Sequence, residues 1–161
     1  MRNIINVQIG EIKAARGNAV LETSGIGSCI ALATYDPIRK TGALAHIMLP
    51  GRCPPKKMDQ KTRYVEDAVD GILEMMSDFG AKPDSLVIAL VGGANVLQKT
   101  EDTICVNNID SALNYLAGQG LSITAQSLGG TDRRSLSLDL DQGRILYNHG
   151  DRRRLLLWKA K

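Results

Sequence analysis

Aromatic side chains are scarce: Phe, Trp and Tyr make up 4% of the 161 residues. Ile, Leu, Val, Ala and Met must therefore fill the interior. Basic residues gather at 52–63, at Arg133-Arg134 and at Arg152-Arg153-Arg154, without interleaved aromatics, so a base-stacking nucleic-acid surface is not expected. The net charge of +3 fits a solvated face and is compatible with an acidic protein partner. Long apolar runs are also missing. Leu86–Val91 and Leu155–Trp158 are far too short to span a bilayer, so no membrane insertion is expected. The opening residues, Met1 to Asn6, are too polar for a secretory signal, and a cytoplasmic location is expected. Three cysteines, an odd number with no CxxC pair, argue against a disulfide framework and a structural zinc site. There are only two histidines, His46 and His149.

What is present reads as one α+β domain over residues 1–161: layered, largely antiparallel sheets covered by helices. Strands are predicted over 6–9, 12–15, 19–23, 29–35, 41–49, 85–91 and 121–127. A hairpin is expected from 136–140 and 144–147 around Asp141-Gln142-Gly143, and the tail from Arg152 is a candidate edge strand. Two helices follow from apolar stripes of period 3.6. In 59–79 the stripe is Val65, Ala68, Val69, Ile72, Leu73, Met76 and Phe79; in 107–118 it is Ile109, Ala112, Leu113 and Leu116.

The chemistry points to one corner. Cys29 ends the glycine-rich run Thr23-Ser24-Gly25-Ile26-Gly27-Ser28-Cys29, and the next strand but one turn carries His46. A short turn at Asp36–Lys40 pairs Tyr35 with Gly42 and hence Ala31 with His46. Cys29 and His46 then lie diagonally on one face, with small alanines at 31 and 33 leaving room for the ring. An imidazole there is expected to stabilise a thiolate and lower the cysteine pKa. The amides of Gly27, Ser28 and Cys29 are candidates to hold an oxyanion. Thr23 is close enough in sequence to orient the imidazole. Cys53 and Cys105 read as structural, His149 as a turn residue, and Thr131, beside Gly129-Gly130, as a candidate substrate contact.

Three segments carry a resemblance. Gly25-Ile26-Gly27-Ser28-Cys29, Tyr35-Asp36-Pro37 and Gly42-Ala43-Leu44-Ala45-His46-Ile47-Met48-Leu49-Pro50 look like the signature of the CheD family of chemoreceptor glutamine deamidases. Further matches are Arg63-Tyr64, Gly92-Gly93-Ala94-Asn95 and Gly129-Gly130-Thr131 with Arg133-Arg134. One stretch departs from the family pattern: of Ile104-Cys105-Val106-Asn107-Asn108, only Ile104 and Asn108 keep it. The resemblance implies a fold similar to the cysteine hydrolase domain of cytotoxic necrotizing factors, and a Cys29–His46–Thr23 triad. It implies deamidation of glutamines on methyl-accepting chemoreceptors, with ammonia released, and in some members hydrolysis of receptor methyl esters. It also implies a CheC-type phosphatase as partner. The thioester route needs no metal or organic cofactor, and none is expected. Two rivals stand beside this reading: a regulatory module that chiefly engages a CheC-type phosphatase, and another kind of cysteine hydrolase such as a peptidase.

Overall fold

A computed structural model describes residues 2–161. Ten strands form two five-stranded sheets. The strands are β1 (Asn3–Asn6), β2 (Ile12–Arg16), β3 (Ala19–Ile26), β4 (Ile30–Asp36), β5 (Thr41–Ile47), β6 (Val87–Gly92), β7 (Ala125–Leu128), β8 (Arg134–Asp139), β9 (Arg144–His149) and β10 (Leu155–Lys159). One sheet has the order β1-β3-β8-β9-β10, the other β2-β5-β4-β6-β7. Pairing is antiparallel except for β1 with β3 and β6 with β7. The helices are α1 (Val65–Asp78) and α2 (Ile104–Gly118), with short 3-10 turns at Pro55–Arg63 and Pro83–Ser85. The α+β class of layered, largely antiparallel sheets covered by helices is what the structure has.

Burial explains the layering. Every residue of β4, β5 and β6 is buried, because this sheet is covered on both faces. Alternate residues go to different cores. Ala31, Ala33, Tyr35 and Leu44 join Leu21, Ile26, Leu136 and Leu138 between the two sheets. Ile30, Leu32, Ala43, Ala45 and Ile47 instead meet Val65, Val69, Ile72 and Met76 of α1 and Ala112 and Leu116 of α2. The fully buried strands that read as unbroken apolar runs are thus the middle layer of a sheet–sheet–helix stack.

Several boundaries differ from the sequence expectation. The first strand is Asn3–Asn6, pairing in parallel with Ala19–Glu22, and the chain beyond it leaves the ladder in a turn where Gly10 has φ +83°. The helix expected from residue 59 begins at Val65. Tyr64 is extended (φ −98°, ψ 142°) and bridges to Leu49, which divides α1 from the 3-10 turn before it. The second helix begins earlier, at Ile104. The strand expected over 121–127 starts at Ala125, because the N–H of Leu121 turns back to the carbonyl of Leu116 and closes the helix end. β3 runs on through Ser24 and Gly25 to Ile26, with a register shift between Thr23 and Ile26. Ile26 is fully buried in the inter-sheet core, and that burial holds the strand through its glycine.

Candidate active site

β4 and β5 pair with Tyr35 opposite Gly42 and Ala31 opposite His46, the register that the turn length predicted. Leu44 faces the inter-sheet core and Ala45 and Ile47 face the helices, so by alternation His46 points between the sheets. Cys29, just before β4, packs on that same inter-sheet core and is partly exposed. The two candidates therefore occupy one face of neighbouring strands.

His46 is 1% exposed, and its ring is held from the opposite sheet. Its Nδ1 lies 2.7 Å from Thr23 Oγ1, and the same hydroxyl donates to the carbonyl of Val7 at 2.7 Å. A threonine hydroxyl has one proton, and a carbonyl can only accept. The proton of Thr23 thus goes to Val7, and Nδ1 must carry the hydrogen that completes the second bond. That leaves Nε2 as the ring's lone-pair nitrogen, buried and without a hydrogen-bond partner among the described residues. Burial also pushes the imidazole pKa below its ordinary value, which favours this neutral form. Thr23 reaches the ring because the two sheets pack face to face; sequence proximity to Cys29 is incidental to the contact.

Burial raises the Cys29 thiol above its ordinary pKa, and an interaction with its own backbone N–H only partly offsets this. The direction is opposite to the lowered thiol pKa expected from the sequence. Desolvation penalises both charged forms and so works toward a neutral thiol and a neutral imidazole.

The loop bearing Cys29 is fastened through its carbonyls. Gly27 accepts from Ala94 N–H at 2.8 Å and Cys29 accepts from Gly93 N–H at 2.8 Å. Between them Ser28 accepts from Asn108 Nδ2 at 2.8 Å, and the same nitrogen donates to Met48 at 3.1 Å. Gly92 (φ +128°) makes room for this approach: a Cβ there would stand 2.2 Å from the Cys29 carbonyl oxygen. With their carbonyls turned inward, the Gly27–Ser28 and Ser28–Cys29 peptide units direct their N–H groups the other way, because the trans unit sets the two antiparallel.

Outside this loop lies a cleft of about 390 Å³ lined by Gly25, Gly27, Ser28, Cys29, Ala94, Val96, Leu97, Asp102 and Arg133. Thr131 does not line it. That residue is exposed in the turn after Gly129 (φ +81°) and Gly130 (φ +73°), and Arg133, nearer the strand β8 that anchors the segment, reaches the cleft instead. A smaller pocket of about 130 Å³ beside Thr23 is lined by Glu22, Ser135, Ser137, Asn148 and Arg154 and contains neither cysteine nor histidine. Cys53 and Cys105 are buried, with their sulfurs directed at carbonyls of Lys57 and Asp102 respectively. His149 ends β9, its ring against Tyr147 and 3.8 Å from Asp132.

Comparison with known proteins matches residues 48–149 to the family model described as CheD chemotactic sensory transduction. The chain belongs to the CheD family. A probable chemoreceptor glutamine deamidase CheD of Chlorobium luteolum is 39% identical over 142 residues, covering 88% of this chain and 71% of the relative. The chemoreceptor glutamine deamidase CheD of Thermotoga maritima is 32% identical over 146 residues, covering 91% and 90%. A probable one from Archaeoglobus fulgidus is 34% identical over 152 residues, covering 92% and 95%.

The sequence brings Cys29, His46 and Thr23 forward and marks Gly92 and Asn108 as positions that keep the family pattern, without the contacts they make here; the Val7 carbonyl is absent from that reading. Asn108 had a legible signal. It sits one helical turn before Ala112 and so interrupts the buried stripe of α2 with an amide. The Val7 contact had none, since a backbone carbonyl leaves no trace in the residue pattern.

Proposed function

We propose that this protein is a protein-glutamine deamidase acting on chemoreceptors, with Cys29 as nucleophile, His46 as general base and acid, and Thr23 as the group that orients the ring. Family membership and the names of its relatives support the activity. The observation that carries the residue assignment is the Val7–Thr23–His46 relay, which leaves a neutral, unpartnered Nε2 on the face that also bears Cys29.

In this mechanism a glutamine side chain enters the cleft, and His46 Nε2 takes the thiol proton as the sulfur attacks the carboxamide carbon. The oxyanion is received by the N–H groups of Cys29 and Ser28. The protonated imidazole gives its proton to the departing ammonia, leaving a thioester. His46 then takes a proton from water, which attacks the thioester to yield glutamate and restore the thiol. Because burial works against charge on both partners, proton transfer accompanies attack. The imidazolium that forms donates through Nδ1 to Thr23, whose oxygen is aimed by its bond to Val7.

Residues 1–161 are proposed to act as one domain, working in the cytoplasm; among the described residues no helix is long and apolar enough to cross a membrane. A CheC-type phosphatase is the proposed regulatory partner, supported by the family resemblance alone. The test incubates receptor fragments with the protein and follows each Gln-to-Glu conversion by mass spectrometry. Wild type is expected to convert specific glutamines and Cys29→Ala none; conversion by Cys29→Ala would overturn the nucleophile.

A further inference from the structure

We propose that Asn108 is a positioning residue that aims the oxyanion-binding N–H of Cys29 at the cleft. The inference rests on the reading of Cys29 as an acyl-forming nucleophile. Asn108 lies in the first turns of α2, is fully buried, and belongs to neither the cleft lining nor the Thr23–His46 relay. Its Nδ2 bonds two carbonyls at once, Ser28 at 2.8 Å and Met48 at 3.1 Å. Both partners only accept, so the orientation of the amide is dictated: the nitrogen must face them. This ties the residue before the nucleophile to the chain just beyond His46 on β5.

The consequence follows from the planarity of the peptide. The Ser28 carbonyl and the Cys29 N–H belong to one unit and point in opposite directions. While Asn108 holds the carbonyl inward, the N–H is presented on the cleft side, where it also lies near the cysteine's own sulfur. Released, the unit can rotate and place a carbonyl dipole where negative charge develops. That rotation turns on ψ of Ser28 and φ of Cys29.

Asn108 keeps its place at a cost. Its Oδ1 is buried with no hydrogen-bond partner among the described residues. An acceptor left unpaired offsets what the two bonds from Nδ2 contribute, so net stability is a poor reason for an asparagine here. Orientation of the Ser28–Cys29 peptide is a better one.

Two reagents separate positioning from simple integrity. Acylation of Cys29 by p-nitrophenyl acetate passes through a tetrahedral oxyanion: the thiolate bonds to the carbonyl carbon and p-nitrophenolate leaves. Alkylation by iodoacetamide displaces iodide and forms no oxyanion. Both need the thiolate, so the ratio of their rates on the Cys29 peptide, read by mass spectrometry, isolates the amides' contribution. Asn108→Ala is expected to lower that ratio about 10-fold to 100-fold, less than outright loss of an oxyanion donor, with alkylation nearly unchanged. Asn108→Asp should show a low ratio while the carboxylate is ionised. The ratio should recover as pH falls and a protonated carboxyl regains a donor, whereas the wild-type ratio stays level with pH.

An unchanged ratio in Asn108→Ala would overturn the proposal. So would equal loss of both rates with a lowered Tm, or a wild-type ratio no higher than that of N-acetylcysteine. Deamidation of receptor fragments is measured alongside. Wild type that fails to deamidate while Asn108→Ala lowers the ratio removes the receptor reading and leaves the role of Asn108 standing.

Discussion

Replacing Thr23 with valine removes one hydroxyl and little volume, and the structure sets what should follow. Two buried groups lose their partner: the carbonyl of Val7 and the Nδ1–H of His46, each held at 2.7 Å. A buried polar group stripped of its partner costs about 1–3 kcal/mol. Taking about 1 kcal/mol for each gives a loss near 2 kcal/mol, which at this chain length lowers Tm by about 4–8 °C. The catalytic effect has a separate origin. Without an acceptor at Nδ1 the imidazole is free to carry its proton on Nε2, where it cannot accept from the Cys29 thiol. Positioned acid–base groups supply about 10²–10⁴ in rate, and here the ring stays in place while its tautomer is released, so kcat should fall about 10-fold to 100-fold. KM should hold, because Thr23 does not line the cleft. Thr23→Ser keeps the hydroxyl and should retain most of both properties. Receptor-fragment deamidation followed by mass spectrometry, with a thermal melt of each variant, reads the two effects apart. Thr23→Val working at the wild-type rate would refute the relay, whatever its Tm.

Cys29 itself makes a second prediction through pH. Burial raises its pKa, so the thiolate fraction at neutral pH is below that of an ordinary thiol, and the iodoacetamide rate should keep climbing as pH rises into the alkaline range. A plateau reached at or below neutral pH would show a resting thiolate–imidazolium pair and contradict the preference for a neutral pair described above. Third, Gly92→Ala puts a Cβ 2.2 Å from the Cys29 carbonyl oxygen and 2.7 Å from Ile26 Cγ2, at a φ of +128° that side chains avoid. Backbone strain of about 1–3 kcal/mol plus the clash should lower Tm and displace the nucleophile loop, visible as lost deamidation; a fully active, equally stable variant would refute the close approach.

Two features of the corner were legible early for physical reasons. Strand alternation and a short turn leave few registers for the Cys29–Leu49 hairpin, and the observed pairing of Ala31 with His46 is the one those constraints select. The apolar stripes of α1 and α2 were equally plain, because burial on one face imposes a period that the residues must obey. Element ends were less legible: Tyr64 breaks a helical pattern by bridging to Leu49, and Ile26 carries β3 past its glycine by filling the inter-sheet core. Both are decided by partners distant in the chain. Thr131, a candidate substrate contact, lies outside the cleft lining for the same reason, since the turn it sits in is oriented by the anchoring of β8.

The residues alone determined the class of fold and the hairpin register, since both follow from local periodicity and turn length. Tertiary structure decided the rest. Only the packing of one sheet on the other brings Thr23 to His46 and selects the ring tautomer, and only burial works against charge on the thiol and the imidazole. The docking of α2 alone delivers Asn108 to the Ser28 carbonyl, across 80 residues of sequence separation.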